Sequence, residues 1–439
     1  MTIDQLARGR GTGGLIVGKP YWWEAAPPVA RTRPSPSAID VAIIGSGFTG
    51  LSAALTLLRR GRSVAVFDRA TPGFGASTRN GGQVGSGNQK FRVKRLIELH
   101  GERKAVCLLK EGVAMLDFIA ALIAREKIEC GFRRAGRFRG AVRPEHYESM
   151  ARDMEDLRHH AGVESFMVPR AEQHREIGSD RFYGGSVLPG DGSLHPSLYH
   201  RGLMTRVEEA GGLIAGDADI RAIAPDRAGF AIHAPHGAIH ARDVIVATNG
   251  YSRGLDPYFD RRIFKIGSAI IATAPLPEAT LDALMPTRRM YGNTNRVFFY
   301  FRATDDNRIL WGGRTDHVHP AGSPRAYSHL ANDLLRTFPQ LKSAEVTHAW
   351  SGQIGYTFDA LPHLGKNKSG IHYAMGYCGT GVSRSTYFGH KIALQVLGDP
   401  DGKTAFDDIA FPSHPFYFAA ERMAPVVETW YRFRDLTSL

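Results

Sequence analysis

The feature that most constrains the fold is a glycine-rich turn between an apolar run and an amphipathic pattern. Residues 39–44 (IDVAII) form the nearly continuous apolar run that is typical of buried parallel strands. Residues 45–50 (GSGFTG) follow at once, and from Leu51 onward apolar residues recur at the spacing of one helix face. A second apolar run, over 63–67, ends at Asp68. The sequence therefore predicts a β-α-β unit.

The spacing of this unit predicts a dinucleotide-binding site. Gly45 allows a tight turn, Gly47 lets the backbone approach a pyrophosphate, and Gly50 permits close packing of helix on strand. The helix N-terminus presents free N–H groups and its positive dipole end to phosphates. Asp68 stands where a carboxylate accepts hydrogen bonds from ribose hydroxyls, which disfavours NADP. The turn alone leaves FAD and NAD open.

Residues 73–87 (GFGASTRNGGQVGSG), which we name the glycine track, favour FAD. Six glycines in fifteen residues are incompatible with a regular helix or strand, and they predict a backbone that passes close to a bulky ligand. FAD lies extended and needs contacts along its length, whereas a nicotinamide dinucleotide mainly needs one phosphate loop. The residues predicted to bind the cofactor from these stretches are Gly45, Ser46, Gly47, Phe48, Thr49, Gly50, Asp68, Arg69, Gly75, Ala76, Ser77, Arg79, Asn80, Gly81, Gly82 and Gln83.

The rest of the chain predicts an α/β protein: a Rossmann-like domain with the β-α-β fingerprint and a second α+β domain on a mixed or antiparallel sheet. Helical patterns cover 93–126, 144–160, 197–210, 326–337 and 382–397. Strand patterns cover 242–247, 263–273, 297–302, 309–313 and 372–375. Prolines predict an irregular leader over 1–37, in which Tyr21-Trp22-Trp23 is either an aromatic anchor or part of a substrate entrance.

Composition excludes several classes of protein. The net charge of +12 comes from scattered Lys and Arg without a nucleic-acid module, so it serves either solubility or the attraction of an anionic cofactor or substrate, and nucleic acid is not expected. No apolar run is long enough to span a bilayer and the first residues lack a secretory pattern, so we expect no membrane insertion and a cytoplasmic location. Three cysteines without a C-x-x-C pair exclude a disulfide scaffold. His317-x-His319 lacks a third ligand, so no metal is expected.

Taken together, these segments resemble the D-amino-acid oxidase superfamily of FAD-dependent amine oxidases, in particular its bacterial γ-glutamylputrescine oxidase-like branch. The resemblance is carried by the segments IDVAIIGSGFTGLSAALTLLRRG, VFDRA, PGFGASTRNGGQ, PYWWE, VIVATNGYS, WSGQIGYTFDALPHLG and YAMGYCGTGVSRS. It implies two lobes. The FAD-binding domain would comprise 38–100, 190–260 and 345–400, and the substrate or cap domain 101–189 and 261–344, followed by a C-terminal extension over 401–439.

The function that the resemblance implies is oxidation of the C–N bond of an amine or amino acid, for example a polyamine derivative such as γ-glutamylputrescine. Hydride passes to the flavin, an imine is released, and O2 reoxidation gives H2O2. Two alternatives stay open. One is a dehydrogenase that passes electrons to a quinone or partner protein, because the stretch RILWGGRT lacks the lysine that some members place over the flavin. The other is a flavin-binding subunit without turnover.

The resemblance also implies roles for later residues. The backbone of Ile220 would meet adenine, and a helix N-terminus at Gly379, Thr380, Gly381 and Val382 would stabilise the reduced flavin. Noncovalent FAD is expected because WSGQIGYTFD has no cysteine and Cys378 is expected to be a packed thiol. Each candidate at the substrate has a structural alternative. The candidates that would form an aromatic cage and a carboxylate fork are Trp311, Tyr251, Tyr300, Arg302 and His195. Arg314 is a candidate for the positive charge that the missing lysine would supply.

Overall fold

The computed structural model describes residues 1–10, 14–31, 36–86, 90–226, 229–234, 237–316, 318–320 and 322–437. In these residues the helices are α1 Ile3–Ala7, α2 Phe48–Arg59, α3 Val93–His100, α4 Glu102–Arg125, α5 Pro144–Ala161, α6 Pro196–Glu209, α7 Pro257–Asp260, α8 Glu278–Leu284, α9 Ser328–Thr337, α10 Gly381–Val396 and α11 Tyr417–Thr437. The strands are β1 Ile16–Val17, β2 Ala38–Ile44, β3 Val64–Phe67, β4 Gln83–Val84, β5 Arg137–Gly140, β6 Phe166–Val168, β7 Gly185–Leu188, β8 Gly192–Ser193, β9 Leu213–Ala215, β10 Ala222–Asp226, β11 Gly229–Ala234, β12 Gly237–Val246, β13 Phe264–Thr273, β14 Met290–Asn293, β15 Tyr300–Ala303, β16 Ile309–Arg314, β17 Val346–Tyr356, β18 His363–Lys366 and β19 His372–Met375.

The first sheet is built around the predicted β-α-β unit. Strands β19, β12, β2, β3 and β9 run parallel, and Val41 pairs with Val64 in the register of β2 and β3. Antiparallel strands β10, β11 and β18 extend this sheet. Helix α2 packs against α10 and α6 in a core that contains Leu51 and Ile392. Parallel strands buried on both faces account for the near-continuous apolar runs.

The second sheet has nine strands in the order β1-β17-β13-β16-β15-β14-β5-β7-β6. Its centre is antiparallel, and the β13–β17 pairing runs from Phe264 opposite Tyr356 to Thr273 opposite Val346. Alternate residues of β16 face opposite sides, as the pleat requires. Trp311 therefore packs with α9 on one face, while Leu310 packs with Trp22 and Trp350 on the other. The α/β fold class with two sheets is confirmed.

Three segments pack differently from what the expected domain boundaries suggest. In the leader, the N-terminus of α1 is capped by reciprocal hydrogen bonds between Thr2 and Gln5, and β1 pairs with β17. The leader therefore contains regular secondary structure at α1 and β1. Strand β17 lies in the nine-stranded sheet although it begins inside 345–400, and α4 packs on α10 beside the parallel sheet. We propose lobes that follow the two sheets: β17 joins the cap and α4 joins the cofactor-binding lobe.

Helix α11 was not predicted. A row of carboxylates on this helix contacts groups at the ends of β13 and β16 and between β14 and β15. Glu421 accepts a hydrogen bond from the Lys265 amide (3.2 Å), Glu428 lies 3.6 Å from the Arg314 guanidinium, and Asp435 accepts from the Arg296 amide (3.0 Å). The seven-residue spacing places the three acids on one face. The outer face carries the exposed apolar residues Phe418, Met423, Val426, Val427, Trp430, Tyr431 and Phe433.

Two smaller predictions can be placed. Among the described residues, no helix is both long and apolar enough to cross a membrane. His317 lies outside the described residues, and His319 Nδ1 lies 2.8 Å from a carboxylate oxygen of Asp316 in a surface loop.

Burial keeps His390 neutral and makes stability depend on pH. His390 stacks on Phe118 and its Nδ1 lies 3.0 Å from Thr56 Oγ1. Burial, aided by nearby cations, lowers the pKa of His390 to about 4. The unfolded chain therefore takes up the proton first, and stability present above pH ~6.5 is lost as the pH falls toward 4. We expect His390→Gln to flatten the fall of the thermal midpoint across this window. The exposed His159→Gln is the control, and an unchanged slope in His390→Gln would contradict the assignment.

Candidate functional site

A cavity of about 1010 Å³ lies between the two sheets. Three glycine-bearing stretches that are far apart in the sequence line it: residues 45–49, most of the glycine track over 73–86, and residues 379–383. Residues of β13, β15, β16 and β17 line its opposite side. A volume of this size suits a large cofactor together with a small substrate.

The first stretch is a turn that only glycine can make. Gly45 has a φ of +106°, and a Cβ at Gly50 would lie 2.0 Å from the Gly45 carbonyl oxygen. Helix α2 then begins after Gly47, which has no side chain to cap the first N–H groups. Ser46 donates to Asp68 Oδ2 from both its amide (2.9 Å) and its hydroxyl (2.6 Å), which fixes the carboxylate at the cavity wall. The Phe48 amide donates to Ser77 Oγ (3.0 Å), so the turn and Ser77 together place backbone N–H groups, a hydroxyl and an oriented acid on one side of the cavity.

Side-chain N–H groups from distant parts of the chain hold the glycine track in place. Trp22 Nε1 donates to the Asn80 carbonyl (2.8 Å), and Trp350 Nε1 donates to the Arg79 carbonyl (2.8 Å). Trp23 Nε1 donates to Thr78 Oγ1 (3.0 Å). These contacts favour the anchor interpretation of the aromatic leader, because Trp22 is buried against the track rather than placed in the cavity lining.

The third stretch forms the start of α10. Gly379 has a φ of +92°, and Thr380 at the helix N-cap makes no capping hydrogen bond with its side chain. Residues 379–383 all line the cavity, so the first turn of α10 and its positive dipole end face the interior. Ile220 lines the same cavity beside Asp219 and Arg221.

An aromatic and cationic wall lies opposite these stretches. The Tyr300 ring packs over Gly81 and Gly312, where added Cβ atoms would lie 2.9 and 2.3 Å from it. Arg314 donates from Nη2 to the Tyr356 hydroxyl (2.8 Å) and belongs to the cavity lining. Tyr251 also lines the cavity, and burial raises its pKa. The wall therefore offers neutral phenol rings and one oriented guanidinium.

Comparison with known proteins identifies this arrangement. A family model described as FAD dependent oxidoreductase (DAO) matches residues 40–395. The chain is 30% identical over 381 residues to the γ-glutamylputrescine oxidoreductase of Escherichia coli, covering 86% of this chain and 87% of that protein. It is 29% identical over 379 residues to the probable oxidoreductase OrdL of Haemophilus influenzae, covering 85% and 86%. The chain belongs to the DAO family of FAD-dependent oxidoreductases. The predicted resemblance is confirmed.

The fold agrees with this membership. The glycine oxidase structure from Geobacillus kaustophilus matches with a TM-score of 0.72 and 22% sequence identity, over 87% of this chain and 99% of that chain. The L-proline dehydrogenase structure from P. horikoshii matches with a TM-score of 0.68 at 17% identity, over 84% and 96%.

The cavity fits the FAD that the family uses. The starts of α2 and α10 face it without a capping bond from the N-cap side chain, and residues 45–49 and 379–383 line its wall. An oriented carboxylate, Asp68, lies beside the turn. Backbone N–H groups suit a pyrophosphate and the acid suits a ribose. In the described residues, the predicted cofactor-binding residues line this cavity except Gly50 and Gly82. Gly50 instead provides helix–strand packing, and Gly82 adopts a φ of +67° under Leu194.

Three predicted substrate residues do not line the cavity. Trp311 is fully buried on the far face of β16, stacked on Phe301 at 3.9 Å, with Nε1 donating to Asp333 (3.2 Å). His195 caps α6, since its Nδ1 accepts from the Leu198 amide (3.2 Å), and burial lowers its pKa to about 4. These two side chains support the fold rather than bind substrate.

Arg302 is the third such residue. Its Nη1 donates to the carbonyls of Gly82 and Leu194, both at 3.0 Å. Burial lowers the pKa of Arg302 to about 10. The guanidinium therefore holds the glycine track in place by hydrogen bonds to the backbone, and it is not free to hold a substrate carboxylate.

Sequence reasoning missed several residues that line the cavity. Lys90 lies with its Nζ 4.7 Å from the centroid of the Tyr356 ring, which also contacts Arg314. Arg137 and Arg139 line a further part of the cavity. The alternation of side chains along β5 and β17 could have predicted that Arg139 and Tyr356 face the cavity. The contact of Lys90 with the Tyr356 ring follows only from the tertiary structure.

Loss of the Asp68 carboxylate is expected to weaken FAD binding about tenfold or more, because charge-assisted hydrogen bonds are lost. The measurement is the FAD dissociation constant of Asp68→Ala, from titration of the apoprotein followed by tryptophan fluorescence. Asp40→Ala is a matched control, since Asp40 accepts the same pair of hydrogen bonds from the Ser63 amide and hydroxyl on the exposed edge. Equal FAD affinities in the two variants would refute the ribose assignment.

Arg302→Met is expected to act on stability and not selectively on substrate binding. It removes the guanidinium donor of the Leu194 carbonyl, at a cost of about 1–3 kcal/mol, whereas the Gly82 carbonyl still accepts from the Leu194 amide (2.9 Å). We expect a lower thermal midpoint and lower FAD occupancy. Arg314→Met, at the cavity wall, should keep the midpoint closer to that of the unaltered protein. A normal midpoint in Arg302→Met, together with a raised KM, would restore the substrate role.

Proposed function

We propose that this protein is an amine or amino-acid oxidase that uses noncovalent FAD and O2. The observation that carries the proposal is the convergence of three glycine-bearing stretches, with the starts of two helices, on a cavity that also has an aromatic wall. The chain's membership of an FAD-dependent family supports it.

The bound FAD would supply the redox chemistry: it takes hydride from the carbon next to the amine, leaving an imine, and its reoxidation by O2 yields H2O2. Residues 45–49 and Ser77 would hold the pyrophosphate, Asp68 the ribose, and the Ile220 backbone the adenine. The glycine track and the first turn of α10 would hold the ring system. The N–H groups of Gly381 and Val382 would then favour added negative charge at the ring edge.

The wall residues suit an amine substrate. Tyr251, Tyr300 and Tyr356 present ring faces and hydroxyls that can hold an amine while excluding water. Burial raises the pKa values of Tyr251 and Tyr300, so both remain protonated at neutral pH. Relatives named γ-glutamylputrescine oxidoreductase and glycine oxidase support a substrate with an oxidisable C–N bond.

Two cations support O2 as the acceptor. Lys90 and Arg314 both contact the Tyr356 ring, and the position of a Cβ on Gly379 would lie 3.7 Å from the Tyr356 hydroxyl. This places positive charge beside the stretch that would hold the ring system. Positive charge favours the reduction of O2, which gains negative charge. Lys90 thus offers a lysine, which the stretch RILWGGRT lacks, and Arg314 of that stretch adds a second cation.

The cysteine environment supports noncovalent attachment. Cys378 is buried, its thiol donates to the Gly376 carbonyl (3.2 Å), and burial raises the pKa of the thiol. A protonated, hydrogen-bonded thiol is a poor nucleophile.

The test is anaerobic mixing of the purified holoprotein with a panel of primary and secondary amines and amino acids. We expect at least one of them to bleach the oxidised flavin band. Admission of air should restore the band and produce H2O2. Bleaching with restoration only by a quinone would instead establish a dehydrogenase. Failure of every amine to bleach the flavin would overturn the enzyme assignment, and release of FAD by acid checks its noncovalent attachment.

A further inference from the structure

The outer face of α11 concentrates the apolar surface that the protein leaves exposed. Among the residues that the structure describes, more than half of the exposed large apolar side chains lie between Phe416 and Phe433. Phe418, Val426 and Trp430 are 56%, 58% and 54% exposed. Exposed apolar side chains that are scattered singly are ordinary, whereas a cluster of this kind marks a surface that binds a partner. We name as the apolar ridge the α11 residues Phe418, Met423, Val426, Val427, Trp430 and Phe433.

The apolar ridge is convex and wide. At about 100° per residue, Phe418 and Val427 lie about 180° apart around the helix axis, with Val426 between them. Trp430 stacks on Phe433 with ring centroids 6.0 Å apart, so these two rings project together. A fluid layer can contact such a ridge over half of the helix circumference, whereas a flat protein surface contacts a narrower strip.

The charges of α11 are sorted between its two faces. Its three acids, Glu421, Glu428 and Asp435, all contact groups on the body of the protein. Arg422 is exposed and lies about 40° from Val426 around the axis. Arg434 lies about 80° from Val426 on the other side. The apolar ridge is therefore bordered by arginines, and the acids of the helix point away from it.

Further cations flank the helix on the body of the protein. Arg253 lies 3.3 Å from Glu421, and its side chain is 68% exposed. Arg296 lies 3.6 Å from Asp435, and its side chain is 40% exposed. The chain as a whole carries a net charge of +12. An anionic surface is therefore attracted to this side of the protein as well as to the ridge.

A second copy of the chain fits this surface less well than an anionic layer does. A contact about a two-fold axis joins the same patch on both copies, so Arg422 and Arg434 would face the same residues of the other copy. Like charges at such a contact oppose association. Anionic headgroups supply the negative charge that the apolar ridge does not contain.

We propose that α11 binds the surface of a lipid bilayer that carries anionic headgroups. The apolar ridge enters the headgroup region, and Arg422 contacts the headgroup phosphates. Amphipathic helices that combine aromatic side chains with arginines lie in the bilayer interface in this way. The inference does not depend on the proposed oxidation of amines.

This docking also orients the cavity. Arg296 and Arg314 contact acids on the inner face of α11, and both line the cavity. A bilayer bound to the outer face of α11 therefore lies one helix diameter away from this side of the cavity, about 10 Å.

The first test measures binding of the holoprotein to vesicles of phosphatidylcholine alone and of an equimolar mixture of phosphatidylcholine and phosphatidylglycerol. We expect an affinity at least about tenfold higher for the mixed vesicles at low ionic strength. This difference should shrink as salt is added, because ions screen the surface charge.

Variants of α11 test which residues make the contact. The double variant Trp430→Ser, Phe433→Ser should lower the affinity for mixed vesicles at least about tenfold, because two aromatic side chains no longer leave water. Phe166→Ser, at an exposed phenylalanine on β6, is the matched control and should leave the affinity unchanged. Arg422→Gln should lower the affinity for mixed vesicles about fivefold and leave that for neutral vesicles unchanged. Its control is Arg95→Gln, at an exposed arginine on α3, which should change neither affinity.

Trp430 also reports directly on contact with lipid. The other tryptophans of the chain, Trp22, Trp23, Trp311 and Trp350, are buried or half-buried. Vesicles with brominated acyl chains should therefore quench part of the tryptophan emission of the holoprotein. Trp430→Phe should still bind these vesicles, and it should lose the quenching.

The outcomes that would overturn the proposal are distinct. Thermal midpoints and flavin spectra identify the variants that are folded. Equal affinities for neutral and mixed vesicles, or full binding by the folded double variant, would overturn it. Failure of the folded holoprotein to bind mixed vesicles would also overturn it, and self-association that the double variant abolishes would then assign the apolar ridge to a second copy of the chain.

Discussion

The site depends on side-chain N–H groups that hold a backbone with few side chains of its own. The glycine track has few side chains that can pack against the protein. Ordering its backbone in one conformation therefore costs a large amount of conformational entropy. Trp22 and Trp350 each donate to a carbonyl of the track, and Arg302 adds bonds to Gly82 and Leu194. These donors come from the leader, β17 and β15. The path of the track therefore depends on the leader and the nine-stranded sheet, which couples the cofactor-binding surface to the cap.

Local sequence was sufficient where the chemistry is local. The turn of residues 45–50, α2 and Asp68 lie close together along the chain, so φ angles, close approach and helix termini predict how they are arranged at the cavity. The same holds for the start of α10. Apolar runs bounded by turns located β2, β3, β12, β13, β16 and β19, because a strand buried in a sheet leaves that pattern whatever its partners are, whereas β5, β14 and β17 were not predicted.

Where partners are distant, the prediction failed for identifiable reasons. Trp311 and Arg314 lie on one strand, but the pleat places them on opposite faces, so one is core and the other lines the cavity. Arg302 was expected to hold a carboxylate. It instead donates to two carbonyls, because the segments that contain Gly82 and Leu194 pass within hydrogen-bond distance of its guanidinium. His195 was expected at the substrate and instead is the N-cap residue of α6. Lys90 and Arg139 were missed since neither belongs to a motif, and α11 was missed because its apolar residues face outward.

The row of acids on α11 has a consequence for how this part of the chain can vary. Glu421, Glu428 and Asp435 each meet a group fixed on the body of the protein, and they do so because two helical turns separate them. A single-residue insertion between two of these acids would rotate the next acid by about 100° around the helix axis, away from its hydrogen-bond or ion-pair partner. Replacements on the outer surface are tolerated by the same geometry, whereas changes in length are not. For these contacts with the body of the protein, the number of residues between the acids in α11 is thus more constrained than the identity of the residues on the outer face.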